Sequence, residues 1–235
     1  MIGYIWTAAR LGLSTTFFSI YCTLRGLRDS DKYLKNALVW SKQMAGILHL
    51  DLEVIGKENQ IKGENYVYVA NHSSLLDIPV LLYALNDNVR IIYKKELEKI
   101  PIFGLGLKYS PFIAVSREGG PGAMKSLNEA IEAMKEDKGI LIYPEGTRSK
   151  DGTIGEFKRG AFVMAEKAGK KIIPVTVVGT NTIMPKGKFS ITKGVKVKVI
   201  ISPAMPLPEE RHKRAMLAYI NEIRDIIVAN HEKYA

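Results

Sequence analysis

From residue 52 onward the chain repeats one pattern: a short apolar run, then a stretch in which apolar residues recur at helical spacing. Runs at 52–55, 66–70, 89–93, 112–115, 140–143, 172–178 and 195–201 have the length and character of strands. Between them, 75–85, 121–134 and 161–168 have helical spacing, with Pro121 placed to open a helix and Gly139 and Gly169 to close two. Strands alternating with helices predict an α/β fold, a mostly parallel central sheet flanked by helices. Pro174 has no N–H to give a ladder, so the 172–178 run is expected at an edge or a bulge. A last helix is expected to open at Pro208, with Glu209 and Glu210 in its first turn, and to bury Met216, Ile220, Ile223 and Ile227.

In such a sheet, residues just past the carboxyl ends of parallel strands share one rim, where ligands bind. Three polar clusters fall there. The first is Asn71-His72-Ser73-Ser74-Leu75-Leu76-Asp77, after the strand that ends at Ala70. His72 precedes a helix and Asp77 sits just inside it, so the carboxylate can hold one imidazole nitrogen and leave the other free as a general base. The same residues, with Ser73 and Ser74, would also serve as a helix cap and nothing more. The second cluster is Arg117, after the strand ending near Val115. The third is Pro144-Glu145-Gly146-Thr147-Arg148-Ser149, after Tyr143. Arg117 and Arg148 offer planar forks for a phosphate, Gly146 lets backbone approach, and Thr147 and Ser149 add hydroxyl donors. Lys94, Lys95, Lys158 and Arg159 add point charges around the same anion. No GxSxG elbow is present and Cys22 lies in an apolar segment, so direct attack by a deprotonated hydroxyl on an activated acyl group is the simpler chemistry.

Composition narrows the partners. A net charge of +10 favours anionic ones: nucleic acid, a membrane surface or phosphorylated metabolites. No zinc-finger spacing or RNP-type aromatic motif supports nucleic acid. One cysteine excludes an internal disulfide, and four histidines without an HExxH pattern argue against a metal site. Between Glu166 and Glu209 there are eight lysines and no acid: Lys167, Lys170, Lys171, Lys186, Lys188, Lys193, Lys196 and Lys198. They read either as a solvated face or as a docking face for anionic lipid or an acidic protein.

Residues 1–50 read as a separate unit, a two-helix membrane-anchoring motif ahead of an α/β domain at 51–235. The uncharged stretch 11–24 is shorter than the ~20 residues a spanning helix needs. An amphipathic helix lying in the interface fits it, with Trp6, Phe17 and Phe18 inserted. A second helix over about 31–50 places Leu34, Ala37, Leu38, Met44, Ala45 and Leu48 on one face, with Trp40 as an interfacial anchor. The alternative is that both helices pack on the globular part.

The ordered motifs resemble those of the glycerolipid acyltransferases. Residues 71–77 resemble that family's NHxxxxD block, and 143–149 its FPEGTRS block with Tyr143 in place of Phe. Lys94-Lys95-Glu96-Leu97 through Pro101, 111–117, Phe157-Lys158-Arg159-Gly160 and Ile173-Pro174-Val175 resemble its intervening and later blocks. Pro111 stands where the second block usually has Gly, and Ser116 where it usually has Asp. The compact length and the EGTRS form resemble the bacterial 1-acyl-sn-glycerol-3-phosphate acyltransferases. The resemblance implies acyl transfer from acyl-ACP or acyl-CoA, as co-substrate and without a cofactor, to lysophosphatidic acid, giving phosphatidic acid at the cytosolic face of the inner membrane. It implies His72 as base oriented by Asp77, with Glu145, Gly146, Thr147 and Arg148 positioning the acceptor phosphate and Arg117 aligned with the second block's arginine. Another acceptor (glycerol-3-phosphate, a lysophospholipid or a lyso-aminolipid) and a non-catalytic membrane-binding module are the alternatives.

Overall fold

The computed structural model describes residues 2–26, 29–85, 88–116, 121–135, 139–187, 190–210 and 212–235. Two N-terminal helices, α1 (Ile2–Gly26) and α2 (Ser30–Leu48), precede a seven-stranded sheet. Its strands are β1 (Asp51–Ile55), β2 (Val67–Ala70), β3 (Val89–Lys94), β4 (Ile113–Val115), β5 (Gly139–Ile142), β6 (Ile172–Val178) and β7 (Lys196–Ile201), in the spatial order β1-β7-β6-β2-β5-β3-β4. The pairs β6 with β2, β2 with β5, β5 with β3 and β3 with β4 are all parallel. β7 turns antiparallel to β6, and β1 runs parallel to β7. Five consecutive strands therefore present their carboxyl ends to one rim, as the alternation of strand and helix predicts.

Side chains alternate across the pleat and sort the core into two layers. Tyr68 and Ala70 of β2 join Ile91, Leu141, Ile173 and Val175 against α2 and α3 (Asp77–Leu85). Val67 and Val69 join Ile140, Ile142 and Ile172 against α5 (Pro121–Lys135), α6 (Arg159–Ala168) and α8 (Lys213–Tyr234). α6 closes at Gly169, whose φ of 68° is the left-handed C-cap that glycine tolerates.

Four expectations need correction. β6 is an interior strand, not an edge, and every residue in it is buried. Pro174 fits because its carbonyl, which accepts from Ser202 N–H at 3.0 Å, points toward β7, and so does its nitrogen; the missing donor falls where β7 has already ended. α8 begins at Lys213 instead of Pro208, because Met205 is still paired with Ile172 as a bridge and His212 Nδ1 caps the helix by accepting from Ala215 N–H. The apolar face of α2 packs on α3 and the sheet core instead of turning outward. Phe18 and Trp40 likewise stack on each other inside, with ring centroids 5.1 Å apart, so Trp40 is no interfacial anchor.

What stays exposed is the outer stripe of α1: Trp6 at 66 %, Leu13, Phe17 at 69 % and Leu24. Among the described residues no helix is long and apolar enough to cross a membrane. The lysine-rich stretch does not form one free face. Lys171 pairs with Glu64, Lys196 with Glu53, and Lys198 donates to the Tyr234 carbonyl.

Candidate active site

The site begins where β2 runs out. Past the last β2–β6 pair, Ala70 with Val175, the side chain of Asn71 takes over the ladder. Its Nδ2 donates to the Val177 carbonyl at 2.9 Å and its Oδ1 accepts from Val177 N–H at 2.8 Å. An amide carries one donor and one acceptor, as a peptide unit does, so the backbone is free to turn while the strand edge stays paired.

His72 follows on that anchor. Its Nδ1 lies 2.8 Å from Asp77 Oδ2. The same oxygen accepts from Ser73 N–H at 2.7 Å and Ser74 N–H at 2.8 Å, while Oδ1 accepts from the Thr180 hydroxyl. Four donors converge on a carboxylate with no exposed surface, so both of its oxygens are satisfied inside the protein. Facing a carboxylate, Nδ1 is the ring nitrogen placed to donate, and Nε2 is the one turned away from Asp77. Among the described residues Nε2 has no protein partner, and the side chain is 14 % exposed. This is the geometry that a general base requires.

The third cluster is locked onto the first. Glu145 Oε1 accepts from His72 N–H at 2.8 Å, and its Oε2 accepts from Gly155 N–H at 3.0 Å. Ser149 N–H donates to the His72 carbonyl at 2.7 Å. Burial raises the Glu145 carboxyl above its ordinary range, and those two backbone donors partly offset it. Both oxygens being taken inside the protein, Glu145 joins the two motifs. The Tyr143 ring stacks on the imidazole with centroids 4.0 Å apart. Burial, with the nearby Asp77 charge, pushes the Tyr143 phenol well above its ordinary range, so it remains neutral.

Gly146 turns at φ 73°, where a side chain would strain the backbone, and the Lys158 ammonium lies over it, 3.1 Å from where a Cβ would stand. Lys186 donates to Thr147 Oγ1 at 3.1 Å and to the Arg148 carbonyl at 2.6 Å, pinning the loop that carries both. Lys94 ends β3 on the same rim, half-exposed, with its ammonium 3.9 Å from Glu96. Arg117 lies outside the described residues.

Beside this rim opens an apolar cavity of about 830 Å³. Leu75, Leu76 and Ile78 of the His72 loop line it, together with Gly12, Thr15 and Phe18 of α1, Trp40 of α2, and Ile100 and Phe103 from the chain after β3. Among the described residues Arg148 is the one charged group in the lining.

Sequence reasoning missed Thr180 and the pinning role of Lys186. Thr180 follows a parallel strand, as His72 and Glu145 do, and recognising β6 as interior would have drawn attention to it.

The sequence profile of the acyltransferase family matches residues 51–178. The chain belongs to this family. Relatives include the 1-acyl-sn-glycerol-3-phosphate acyltransferase of Saccharomyces cerevisiae, 30 % identical over 223 residues that cover 94 % of this chain and 72 % of that one. The 1-acyl-sn-glycerol-3-phosphate acyltransferase of Borreliella burgdorferi is 32 % identical, covering 74 % of this chain and 69 % of that one. The chloroplastic 1-acyl-sn-glycerol-3-phosphate acyltransferase LPAT1 of Arabidopsis thaliana is 39 % identical, covering 57 % and 38 %. The chain spans less than half the length of the chloroplastic relatives it matches. The crystal structure of the 1-acyl-sn-glycerophosphate (LPA) acyltransferase PlsC from Thermotoga maritima superposes with a TM-score of 0.81 at 28 % identity, covering 99 % of this chain and 96 % of that one. In this acyltransferase the family match begins with β1 and ends with β6, so it includes the His72 and Glu145 motifs but not Thr180 or Lys186.

Proposed function

We propose that the protein transfers an acyl group from an acyl thioester, of acyl carrier protein or coenzyme A, to the free sn-2 hydroxyl of lysophosphatidic acid. The observation that carries this is the His72 Nδ1 to Asp77 contact of 2.8 Å beside an apolar cavity whose charged lining residue is Arg148. Nε2 takes the proton of the acceptor hydroxyl as its oxygen bonds to the thioester carbonyl carbon. Asp77 balances the imidazolium charge that forms. The tetrahedral intermediate then expels the thiolate, which receives the proton back from Nε2, so no acyl-enzyme is needed. Arg148 grips the acceptor phosphate with Lys158 above Gly146, while the cavity takes an acyl chain; its volume is that of a typical ligand site. Relatives named for the same reaction support the acceptor.

The substrate is a lipid, and the outer stripe of α1 supplies a means of reaching it. Trp6, Leu13, Phe17 and Leu24 would lie in one leaflet without crossing it, a monotopic attachment at the cytosolic face of the inner membrane.

The test is transfer of labelled acyl groups from both donors to lysophosphatidic acid, glycerol-3-phosphate and lysophospholipids. The expected product is phosphatidic acid, from lysophosphatidic acid alone. His72→Ala should abolish it with the fold intact, and Arg148→Ala should raise the KM for acceptor more than it lowers kcat. Product from His72→Ala would remove the base assignment.

A further inference from the structure

Resting on the reading that the protein works at a bilayer, we propose that residues 100–109 form a second membrane-inserting element beside α1, fitted to an anionic lipid surface. Outside α1, four of the eight exposed large apolar groups among the described residues fall within these ten positions: Ile100, Ile102, Leu105 at 52 %, and Tyr109. They sit between lysines. Lys94, Lys95, Lys99 and Lys108 are all exposed. The only acids of residues 94–109 are turned inward: Glu98 accepts from the Tyr93 hydroxyl at 2.9 Å, and both carboxylate oxygens of Glu96 are buried. The outward charge of the segment is therefore entirely basic, set around an apolar tip. That is the arrangement a surface of anionic head groups over hydrocarbon selects.

The segment is also built firmly and in the right place. Ile102 is held at φ 63° and ψ −59°, a turn closed by Phe103 N–H donating to the Pro101 carbonyl at 2.7 Å. A β-branched residue adopts that conformation only where its surroundings impose it. α4 (Phe103–Lys108) then lies against α1. A Cβ on Gly106 would come within 2.9 Å of Ser19 Cβ, and the Tyr33 hydroxyl donates to the Gly106 carbonyl at 3.0 Å. The apolar tip is thus fixed beside the helix whose outer stripe faces away from the protein. The lysines on Lys99 and Lys108, the latter over the Tyr109 ring, stand where lipid phosphates would meet it.

The experiment places an environment-sensitive fluorophore on Leu105→Cys, Tyr109→Cys, Phe17→Cys and Leu217→Cys; native Cys22 is fully buried and stays unlabelled. Leu217, on α8, is as exposed as Leu105 and serves as the reference. Each protein is mixed with phosphatidylcholine and phosphatidylglycerol vesicles bearing nitroxides on the acyl chains. The expected result is quenching at 105, 109 and 17 several-fold above that at 217. Quenching at 17 alone overturns this inference and leaves the bilayer reading standing, whereas quenching at none overturns both. Should Leu105→Cys fail to fold, Tyr109→Cys, outside the cavity, decides the point. In parallel, Lys99→Gln and Lys108→Gln should each weaken partition to these vesicles about five-fold, with turnover of detergent-dispersed substrates unchanged. Undiminished partition would also overturn the proposal.

Discussion

Asp77→Asn separates charge from geometry at this site. Asn Oδ1 can take over the three N–H donors that now meet Asp77 Oδ2, from His72, Ser73 and Ser74. Its Nδ2 then faces the Thr180 hydroxyl, which can reverse and accept, passing its proton to Ser73 Oγ at 3.2 Å. No buried polar atom is stranded, so the cost in stability should stay under about 1 kcal/mol. The charge is nevertheless gone. With the centres of imidazolium and carboxylate about 4 Å apart and an effective dielectric of about 20, the lost interaction is about 4 kcal/mol. At about 1.4 kcal/mol per tenfold, that is roughly a thousandfold in rate. The assay is acyl transfer to lysophosphatidic acid at saturating donor, alongside urea unfolding of the same preparation. A variant keeping more than about a tenth of native turnover with an unchanged urea midpoint would refute the idea that Asp77 works through its charge, since base catalysis contributes about 10²–10⁴-fold.

Thr180→Val removes the donor to Asp77 Oδ1 and should cost about 1.5–3 kcal/mol of stability, with kcat lowered, KM for acceptor kept, and both repaired by Thr180→Ser; an unchanged kcat would show that the hydroxyl only fills space. Glu145 has a folded pKa raised above the ordinary 4.5 by burial, so its contribution to stability is complete below that value and is lost as pH rises through the folded one. Glu145→Gln abolishes this titration but sets an NH₂ against one of two backbone N–H groups, costing about 1–3 kcal/mol; its deficit in urea should narrow from pH 5 to pH 7, and a widening deficit would mean that burial does not dominate. Gly12→Phe places a ring into the cavity from a position with nothing within 4 Å of a Cβ; competition between thioesters of different length should shift toward shorter chains, and an unaltered preference would mean that the acyl chain lies elsewhere.

The strands and the rim were legible because their signals are local. Unbroken apolar runs set β2, β5 and β6, and parallel pairing then brings the residues past Ala70 and Ile142 together without further information. The His72 and Asp77 contact followed from five residues of spacing at a helix start. What remained hidden depends on distant parts of the chain. Thr180 reaches Asp77 across 103 positions, and Lys186 reaches Thr147 across 39. Pro174 misled because its missing donor matters only on the side where β7 has ended. The face of α1 that turns outward was half right: Trp6 and Phe17 are exposed, whereas Phe18, one position on, stacks inward on Trp40.

Asn71 holds the His72 loop to the sheet through a side-chain amide, while much of the wall around the apolar cavity comes from the first two helices and the chain after β3. On the proposed reading, reagent and ruler are thus supplied in large part by different stretches of polypeptide. Substitutions confined to the helices would then be expected to change which fatty tails are accepted while leaving the His72–Asp77 contact in place.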